Sequence, residues 1–313
     1  LMERTPLPKL FCETMREMLS PVEAERLFAS LDGESPTAVR HNPYKCADVK
    51  PAGEEIAWSR YGRYLDERPQ FTLDTDFAGG AYYVQEPGSQ FVDHILREQH
   101  VEQGRILDMC AAPGGKSTQL KNKLGEKGML ISNEIIPSRC KILTGNVERL
   151  GFTHMATTCL DPARVAALFP QTFDLIMVDA PCSGEGMMRK NQNAVDEWSI
   201  ENVKMCAERQ KEILANAART VAVGGRLLYS TCTFAPEENE LQIDGFLKCH
   251  PDFRLVPVSE RVRAVTRDGV RFEGVSAENI EFCRRFYPHV SPGEGQFMAL
   301  LERTDGEPES DAP

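Results

Sequence analysis

The stretch Arg105–Thr118, RILDMCAAPGGKST, constrains this chain more than any other. It begins as a strand, with Ile106 and Leu107 apolar and Asp108-Met109 behind them. It stops at the small-residue turn Ala111-Ala112-Pro113-Gly114-Gly115, and a helix opens with Lys116, Ser117 and Thr118. A strand, a Gly-rich turn and a helix N-terminus are how α/β proteins receive a nucleotide-like ligand. The glycines let the backbone approach the ligand, and the first helical turn offers free N–H groups. The dinucleotide pattern G-x-G-x-x-G is absent. A P-loop would need a glycine where Cys110 stands. Two readings remain: S-adenosylmethionine, which needs a close turn but no phosphate cradle, or a tight βα turn with no ligand.

From about residue 104 the chain alternates regularly. Strands are expected at Met129–Asn133, Ala156–Leu160, Phe173–Val178, Arg226–Ser230 and Gln296–Leu301. Helices are expected over Pro137–Leu150, over about 196–222 and from Pro236. This pattern implies an α/β fold, a mostly parallel sheet with helices on both faces. Glu134, Asp161 and Asp179 each close a strand, at the edge where such sheets bind ligands. Glu134 lies 19 residues after Gly115, the place for a ribose-gripping acid. Asp161 is placed for the adenine or sugar. Each acid alone would read as a helix cap; three at successive strand ends read as a ligand site.

The N-terminal part differs. Residues 8 to 31 read as two short helices, with Ser20-Pro21 as cap and first position and Gly33 as stop. Thr37–Asn42 alternates like a strand. Lys45, Trp58, Arg60, Tyr61, Arg63 and Tyr64 then interleave basic and aromatic residues, a pattern that suits single-stranded RNA. The alternative is a solvated face with half-buried aromatics, because acidic residues share the stretch. The expected divisions are an N-terminal helical and α+β region over 1–98, a second domain over 99–303 and an acidic tail over 304–313.

The formal charge of −11 has the wrong sign for a simple nucleic-acid binder. The stretch from Glu302 to Pro313 carries a net −4 of it. RNA contact therefore calls for a local basic patch. Ten cysteines are scattered with no C-x-x-C pair, which argues against a zinc site and a disulfide scaffold and for reduced, cytoplasmic thiols. No apolar run approaches a membrane span.

Two cysteines stand out. Cys182 follows one strand in Asp179-Ala180-Pro181-Cys182-Ser183-Gly184-Glu185-Gly186, and Cys232 follows another in Ser230-Thr231-Cys232-Thr233. A lone buried Cys is usually a small hydrophobe; two in loops beside one ligand site invite chemistry. The helix opening at Pro236 would point its positive end at Cys232, against the charges of Glu237, Glu238 and Glu240. A thiolate, an acid and a methyl donor suit one reaction. Thiolate attack at carbon 6 of cytosine makes carbon 5 nucleophilic, and an acid at N3 and the exocyclic amine stabilises the developing charge.

The blocks LDMCAAPGGKST, DAPCSGEGMMRK and YSTCTFAPEENE resemble the signatures of the Sun-type RNA cytosine-5 methyltransferases. The likeness runs from TAVRHNPYK at Thr37, through GRYLDERPQFTLDTDFAGGAYYVQEPGSQF, to RRFYPHVSPGEGQF, and so covers most of the chain. The resemblance implies a Rossmann-like methyltransferase domain with a mostly parallel seven-stranded sheet, preceded by a small α+β RNA-binding domain. It implies Cys232 as nucleophile, Cys182 as the group assisting release, and Asp179 orienting the cytosine. Cys110, Ala111, Ala112, Pro113, Gly114, Gly115, Lys116, Glu134, Asp161 and Asp179 would hold S-adenosylmethionine. Lys190, Arg40, Asn42 and Lys45 would contact RNA or shape the site. The implied partner is RNA, 16S rRNA or the small ribosomal subunit, with transfer RNA as alternative and no metal or membrane; a monomer is expected. The rivals are a DNA cytosine-5 methyltransferase, in which Cys182 would be the nucleophile, and a non-catalytic ribosome-assembly factor.

Overall fold

The computed structural model describes residues 5–45, 52–97, 99–125 and 127–304. The expected tail beyond Thr304 lies outside the described residues. Two helices come first. α1 (Lys9–Met18) turns Phe11 and Met15 fully inward. α2 (Pro21–Asp32) starts as its sequence requires: Ser20 accepts from the Glu23 N–H at 3.3 Å, Pro21 fills the first position, and Gly33 ends it.

An antiparallel sheet follows, ordered β2-β3-β1-β4, from β1 (Thr37–His41), β2 (Glu54–Glu55), β3 (Gly62–Leu65) and β4 (Tyr82–Val84). The one-turn α3 (Thr75–Ala78) precedes β4. Short α4 (Val92–Leu96), buried throughout, leads to the main sheet.

The main sheet is built from β5 (Arg105–Asp108), α5 (Gly115–Lys121), β6 (Met129–Asn133), α6 (Pro137–Leu150), β7 (Met155–Thr158), α7 (Pro162–Leu168) and β8 (Phe173–Asp179). Then come α8 (Gln192–Asp196), α9 (Ile200–Ala218), β9 (Val221–Thr231), α10 (Glu240–Cys249), β10 (Phe253–Leu255), β11 (Arg267–Asp268), β12 (Arg284–Phe286) and β13 (Gln296–Arg303). Seven strands run in the order β7-β6-β5-β8-β9-β13-β12. The first five are parallel, and β13 is antiparallel to β9 and β12. Two short strands, β11 beyond β12 and β10 on β13, bring the sheet to nine.

Both faces of the sheet are covered, and the period-2 alternation divides them. Leu107, Ile176, Val178, Leu227 and Tyr229 face α9 through Ile213, Leu214 and Ala217. Ile106, Leu175, Met177 and Leu228 face the other way, onto Val92, Ile95 and Leu96 of α4. That second face also receives Ala38, Ile56 and Trp58 from the small sheet, with Trp58 edge-on to Phe286 at 5.0 Å. The N-terminal helices pack on the same body: Phe11, Leu27 and Phe28 share a cluster with Met188, Phe234 and Tyr287.

Two expectations shift. The helix foreseen over 196–222 ends at Ala218, because β-branched Val221 and Val223 continue into a long β9 that starts well before Arg226. The helix foreseen from Pro236 is a single 3-10 turn, Pro236–Glu238; α10 begins only at Glu240. Asn239 at φ −118°, ψ −105° interrupts them, its side chain engaged by Thr231 and Thr233. Among the described residues no helix is long and apolar enough to cross a membrane.

Candidate active site

A cleft of about 720 Å³ crosses the C-terminal ends of the parallel strands. It brings together Cys110, Ala112, Pro113 and Lys116 of the Gly-rich turn, the acids Glu134, Asp161 and Asp179, and both Cys182 and Cys232. Ala111 and Gly115 line a smaller adjoining hollow with Asp108 and Tyr83.

The turn is shaped from several sides. Gly114 sits at φ +113°, a left-handed conformation that a side chain would strain. Arg139 of α6 donates to Ala112 O at 2.8 Å, and Asn146 to Pro113 O at 2.8 Å. Behind it, Ser117 Oγ donates to Asp108 Oδ2 at 2.5 Å. Burial pushes the Asp108 carboxyl up to about 7. Asn133, at the end of β6, donates to Leu160 O at 2.9 Å and accepts from the Leu160 N–H at 3.0 Å, which holds β7's exit loop beside the turn.

Glu134 and Asp161 are both caps and cleft residues. Glu134 Oε1 accepts from the Ile136 N–H at 3.0 Å and its other oxygen lies 3.6 Å from Arg139. Asp161 caps α7 through the Ala163 N–H at 2.8 Å. Ile135 and Ile136 stand half exposed in the cleft, at 50% and 45%. They provide an apolar wall beside Pro162, of the kind a flat purine needs. The sequence reading missed these two and Arg139; the signal was a pair of large apolar residues directly after a strand-ending acid. It also missed Gln296, the first residue of β13, which lines the cleft with Oε1 3.5 Å from Lys116 Nζ.

Asp179 ends β8 at the seam of the cleft. Its Oδ1 accepts from Lys116 Nζ at 2.5 Å and from Ser230 Oγ at 2.7 Å. Its side chain keeps 34% exposure, which leaves the carboxylate reachable from the cleft. Beyond it, the sulfurs of Cys182 and Cys232 lie 3.2 Å apart, and the Cys232 N–H donates to Cys182 Sγ at 3.3 Å. The hydrogen bond with Cys232, and then burial, push the Cys182 thiol well above its ordinary value. Of the acids near Cys232, Glu237 is exposed and Glu240 is neutralised by buried Arg285 at 2.5 Å. Glu238 is buried, and burial raises it to about 7.

The four residues expected to contact RNA or shape the site fall in two places. Lys190 is exposed at the end of the Cys182 loop. The others tie the small sheet to the large one. Arg40, 2% exposed, donates to Thr118 Oγ1 of α5 at 2.5 Å. Asn42 donates to Gly80 O and Leu150 O at 3.0 and 2.8 Å. Lys45 Nζ donates to Gly79 O and Arg149 O at 2.7 and 2.8 Å. Trp58 and Arg63 of the basic-aromatic stretch are likewise buried. Among the described residues no group of three or more His, Cys, Asp or Glu side chains could hold a metal ion.

The groups present fit S-adenosylmethionine. A positive-φ glycine turn permits close backbone approach, Glu134 and Asp161 flank an apolar wall for adenine and ribose, and the cleft continues without a break to the thiols. The sheet order is that of a Rossmann-like methyltransferase fold, and the cleft fits S-adenosylmethionine. Residues 94–302 match the family model of the 16S rRNA methyltransferases RsmB/F, and residues 7–87 match that of the N-terminal domain of 16S rRNA methyltransferase RsmF. The chain belongs to the RsmB/F family. It is 30% identical over 324 residues to the ribosomal RNA small subunit methyltransferase F of Erwinia tasmaniensis, covering 99% of this chain and 66% of that protein. It is 33% identical over 254 residues to the protein of the same name in Serratia proteamaculans, covering 80% and 51%. The crystal structure of PH0851 superposes with a TM-score of 0.83 at 28% identity, over 95% of this chain and 66% of that one. The chain thus spans just under two thirds of the length of the first of these relatives.

Proposed function

We propose that this protein transfers a methyl group from S-adenosylmethionine to carbon 5 of a cytosine in RNA, with 16S rRNA as substrate, in the cytoplasm and as a monomer. The observation that carries the reading is the placement of two thiols 3.2 Å apart beside Asp179, in the same cleft as the Gly-rich turn. The names of the relatives, ribosomal RNA small subunit methyltransferase F, support the ribosomal substrate over transfer RNA.

Bound S-adenosylmethionine supplies an electrophilic methyl group. Glu134 and Asp161 hold its sugar and base end, and residues 110–116 its amino-acid end. Asp179 accepts from the exocyclic amine of the cytosine with one oxygen, and a proton shared between its other oxygen and N3 neutralises the negative charge that develops there. Cys232, as thiolate, adds through its sulfur to carbon 6, which moves the electron pair to carbon 5; the methyl group would be accepted there as its bond to the donor sulfur breaks and that sulfur keeps the pair. A base then removes the carbon 5 proton, the carbon–sulfur bond breaks and Cys232 leaves as thiolate. Cys182, whose thiol is pushed up by its hydrogen bond with Cys232 and by burial, assists this release. Access to carbon 5 and carbon 6 requires an unstacked cytosine. Lys190 supplies a phosphate contact at the mouth of the site.

The test is methyl transfer from labelled S-adenosylmethionine to naked 16S RNA, small ribosomal subunits and total transfer RNA, followed by bisulfite mapping. Label at a single cytosine of the ribosomal RNA is expected. Label confined to transfer RNA would overturn the substrate, and cofactor binding without transfer to any RNA would favour the assembly-factor alternative.

A further inference from the structure

Each of the two cysteines is the middle of a tripeptide whose flanking residues are gripped by a buried side chain. Around Cys182, Gln210 Nε2 donates to Pro181 O at 3.0 Å, and the Glu238 carboxylate accepts from the Ser183 N–H at 3.0 Å. The two grips are joined, because the same Gln210 Nε2 donates to Glu238 Oε2 at 2.7 Å. Around Cys232, Thr231 Oγ1 donates to Asn239 Oδ1 at 2.7 Å, and Asn239 Nδ2 donates to Thr233 O at 3.0 Å. The gripping residues Glu238 and Asn239 are neighbours in sequence, and both are fully buried.

Their own position is fixed from below. Tyr229 OH donates to Glu238 O at 2.7 Å, and the 3-10 turn that carries Glu238 ends in the unusual backbone of Asn239. That conformation points the two adjacent side chains at two different loops. Other bonds cross between the loops: Ser183 Oγ to Thr233 Oγ1 at 2.9 Å, Glu185 Oε2 from the Phe234 N–H at 3.0 Å, and Gly186 N–H to Cys232 O at 2.9 Å. A Cβ at Gly186 would stand 2.8 Å from Cys232 O, so the loops meet at backbone contact. A buried carboxylate is costly and persists where its bonds are needed.

We propose that the Glu238-Asn239 pair is the positioning element of this site: Glu238 sets the place of Cys182, Asn239 sets the place of Cys232, and their adjacency sets the spacing between the thiols. Neither side chain touches substrate. The consequence is a division of labour between neighbouring residues. Loss of the Asn239 grip displaces the thiol that attacks, and loss of the Glu238 grip displaces the thiol that releases. A misplacement on the 1 Å scale costs about 100-fold in rate. The catalytic part of this inference rests on the reading of Cys232 and Cys182 given above; the spacing part does not.

Two measurements on the 313-residue protein test it. The first is closure of the Cys182–Cys232 disulfide by diamide, followed by mass spectrometry of the linked peptides. The two thiols give up two protons and two electrons to the diazene, which becomes the hydrazine, as the sulfur–sulfur bond forms. Glu238→Ala and Asn239→Ala are each expected to slow closure at least about tenfold, with Glu238→Gln, which keeps an acceptor for the Ser183 N–H, between them and the wild type. Closure at the wild-type rate in both alanine variants overturns the proposal. The second is the denaturant-resistant protein–RNA adduct on 16S RNA, with Cys182→Ala as reference and S-adenosylmethionine affinity by calorimetry as the control for folding. Glu238→Ala is expected to accumulate adduct as Cys182→Ala does, and Asn239→Ala to form less than the wild type, both with unchanged cofactor affinity. Adduct in Cys182→Ala but not in Glu238→Ala, or a parallel loss of cofactor affinity in both variants, overturns the division of labour and leaves the functional reading standing. No adduct in Cys182→Ala, with disulfide closure still slowed by Glu238→Ala, overturns the functional reading and leaves the spacing role standing.

Discussion

On the cofactor side of the cleft, the residues facing the ligand stand at or just past the ends of their strands: Glu134 after β6, Asp161 after β7, and the turn after β5. On the thiol side, Cys182 and Cys232 stand at the same offsets, three residues past β8 and one past β9, and are held by buried side chains from α9 and from the turn before α10. Backbone topology brings both halves to one edge; what differs is the bracing, by the exposed Arg139 and half-buried Asn146 in the first half and by the fully buried Gln210, Glu238 and Asn239 in the second. A parallel sheet delivers its strand ends to one edge whatever their sequence, so a ligand that needs only approximate contacts can be met there. Covalent chemistry needs two sulfurs at a set separation, and that calls for over-determined loops.

Variants at each half should therefore fail differently. The largest effect is expected for Cys232→Ala: methyl transfer falls by at least about 10⁴-fold and no adduct forms on RNA containing 5-fluorocytosine, while cofactor affinity stays within about twofold. An adduct that persists in Cys232→Ala and disappears in Cys182→Ala would reverse the roles of the thiols. Asp179→Asn, at the seam, is expected to lower kcat by about 100- to 1000-fold through loss of charge stabilisation, again with a smaller change in cofactor affinity. Glu134→Ala probes the other half. Calorimetry should show S-adenosylmethionine binding weakened by about 10- to 100-fold, while diamide closes the cysteine pair at the wild-type rate. A changed closure rate would show that the halves are coupled.

Each half also hides one carboxyl with a raised value near 7, Asp108 under the turn and Glu238 under the thiols. Between about pH 4 and 7 the folded protein keeps protons that the unfolded chain, at the ordinary 3.8 and 4.5, has released. Stability therefore falls as pH rises through that window, by about 1 to 3 kcal/mol per group. Urea midpoints of the cofactor-free protein at pH 5.5 and 8 measure it, and Asp108→Asn and Glu238→Gln should each remove their own share of the slope. The smallest effect is expected outside both halves. Lys190→Ala should weaken RNA binding a few-fold and reduce the salt dependence by about one ion, as filter binding across salt concentrations would show.

The same contrast governs what could be read from the sequence. The strands β5, β6 and β8, the helix α6 from Pro137 to Leu150 and the acids at the strand ends were legible, because they follow from apolar periodicity and local stop signals. The thiol half was legible only as two cysteines in recognisable blocks. Nothing local says that Glu238 reaches Ser183, 55 residues away, or that Asn239 interrupts the helix expected from Pro236. Arg40, Asn42 and Lys45 show the same limit. The resemblance offered them as RNA contacts or as residues shaping the site, and the structure spends their donors on Thr118, Gly80, Leu150, Gly79 and Arg149. A polar side chain's partner is a tertiary fact, and its burial is invisible to periodicity.

The packing of α1 and α2 against Phe234 carries a practical consequence. Phe11 lies 6.4 Å from the Phe234 ring, and Phe234 is two residues from Cys232. Trimming the chain to residues 94–302, the segment that matches the RsmB/F family model, would strip the backing from the loop that bears Cys232. A deletion designed to test the role of the N-terminal part would instead disturb the Cys232 loop for reasons of packing. The role of the N-terminal helices has to be dissected by point changes on their outer face, at exposed positions such as Leu10 and Val22, with their inner face left in place.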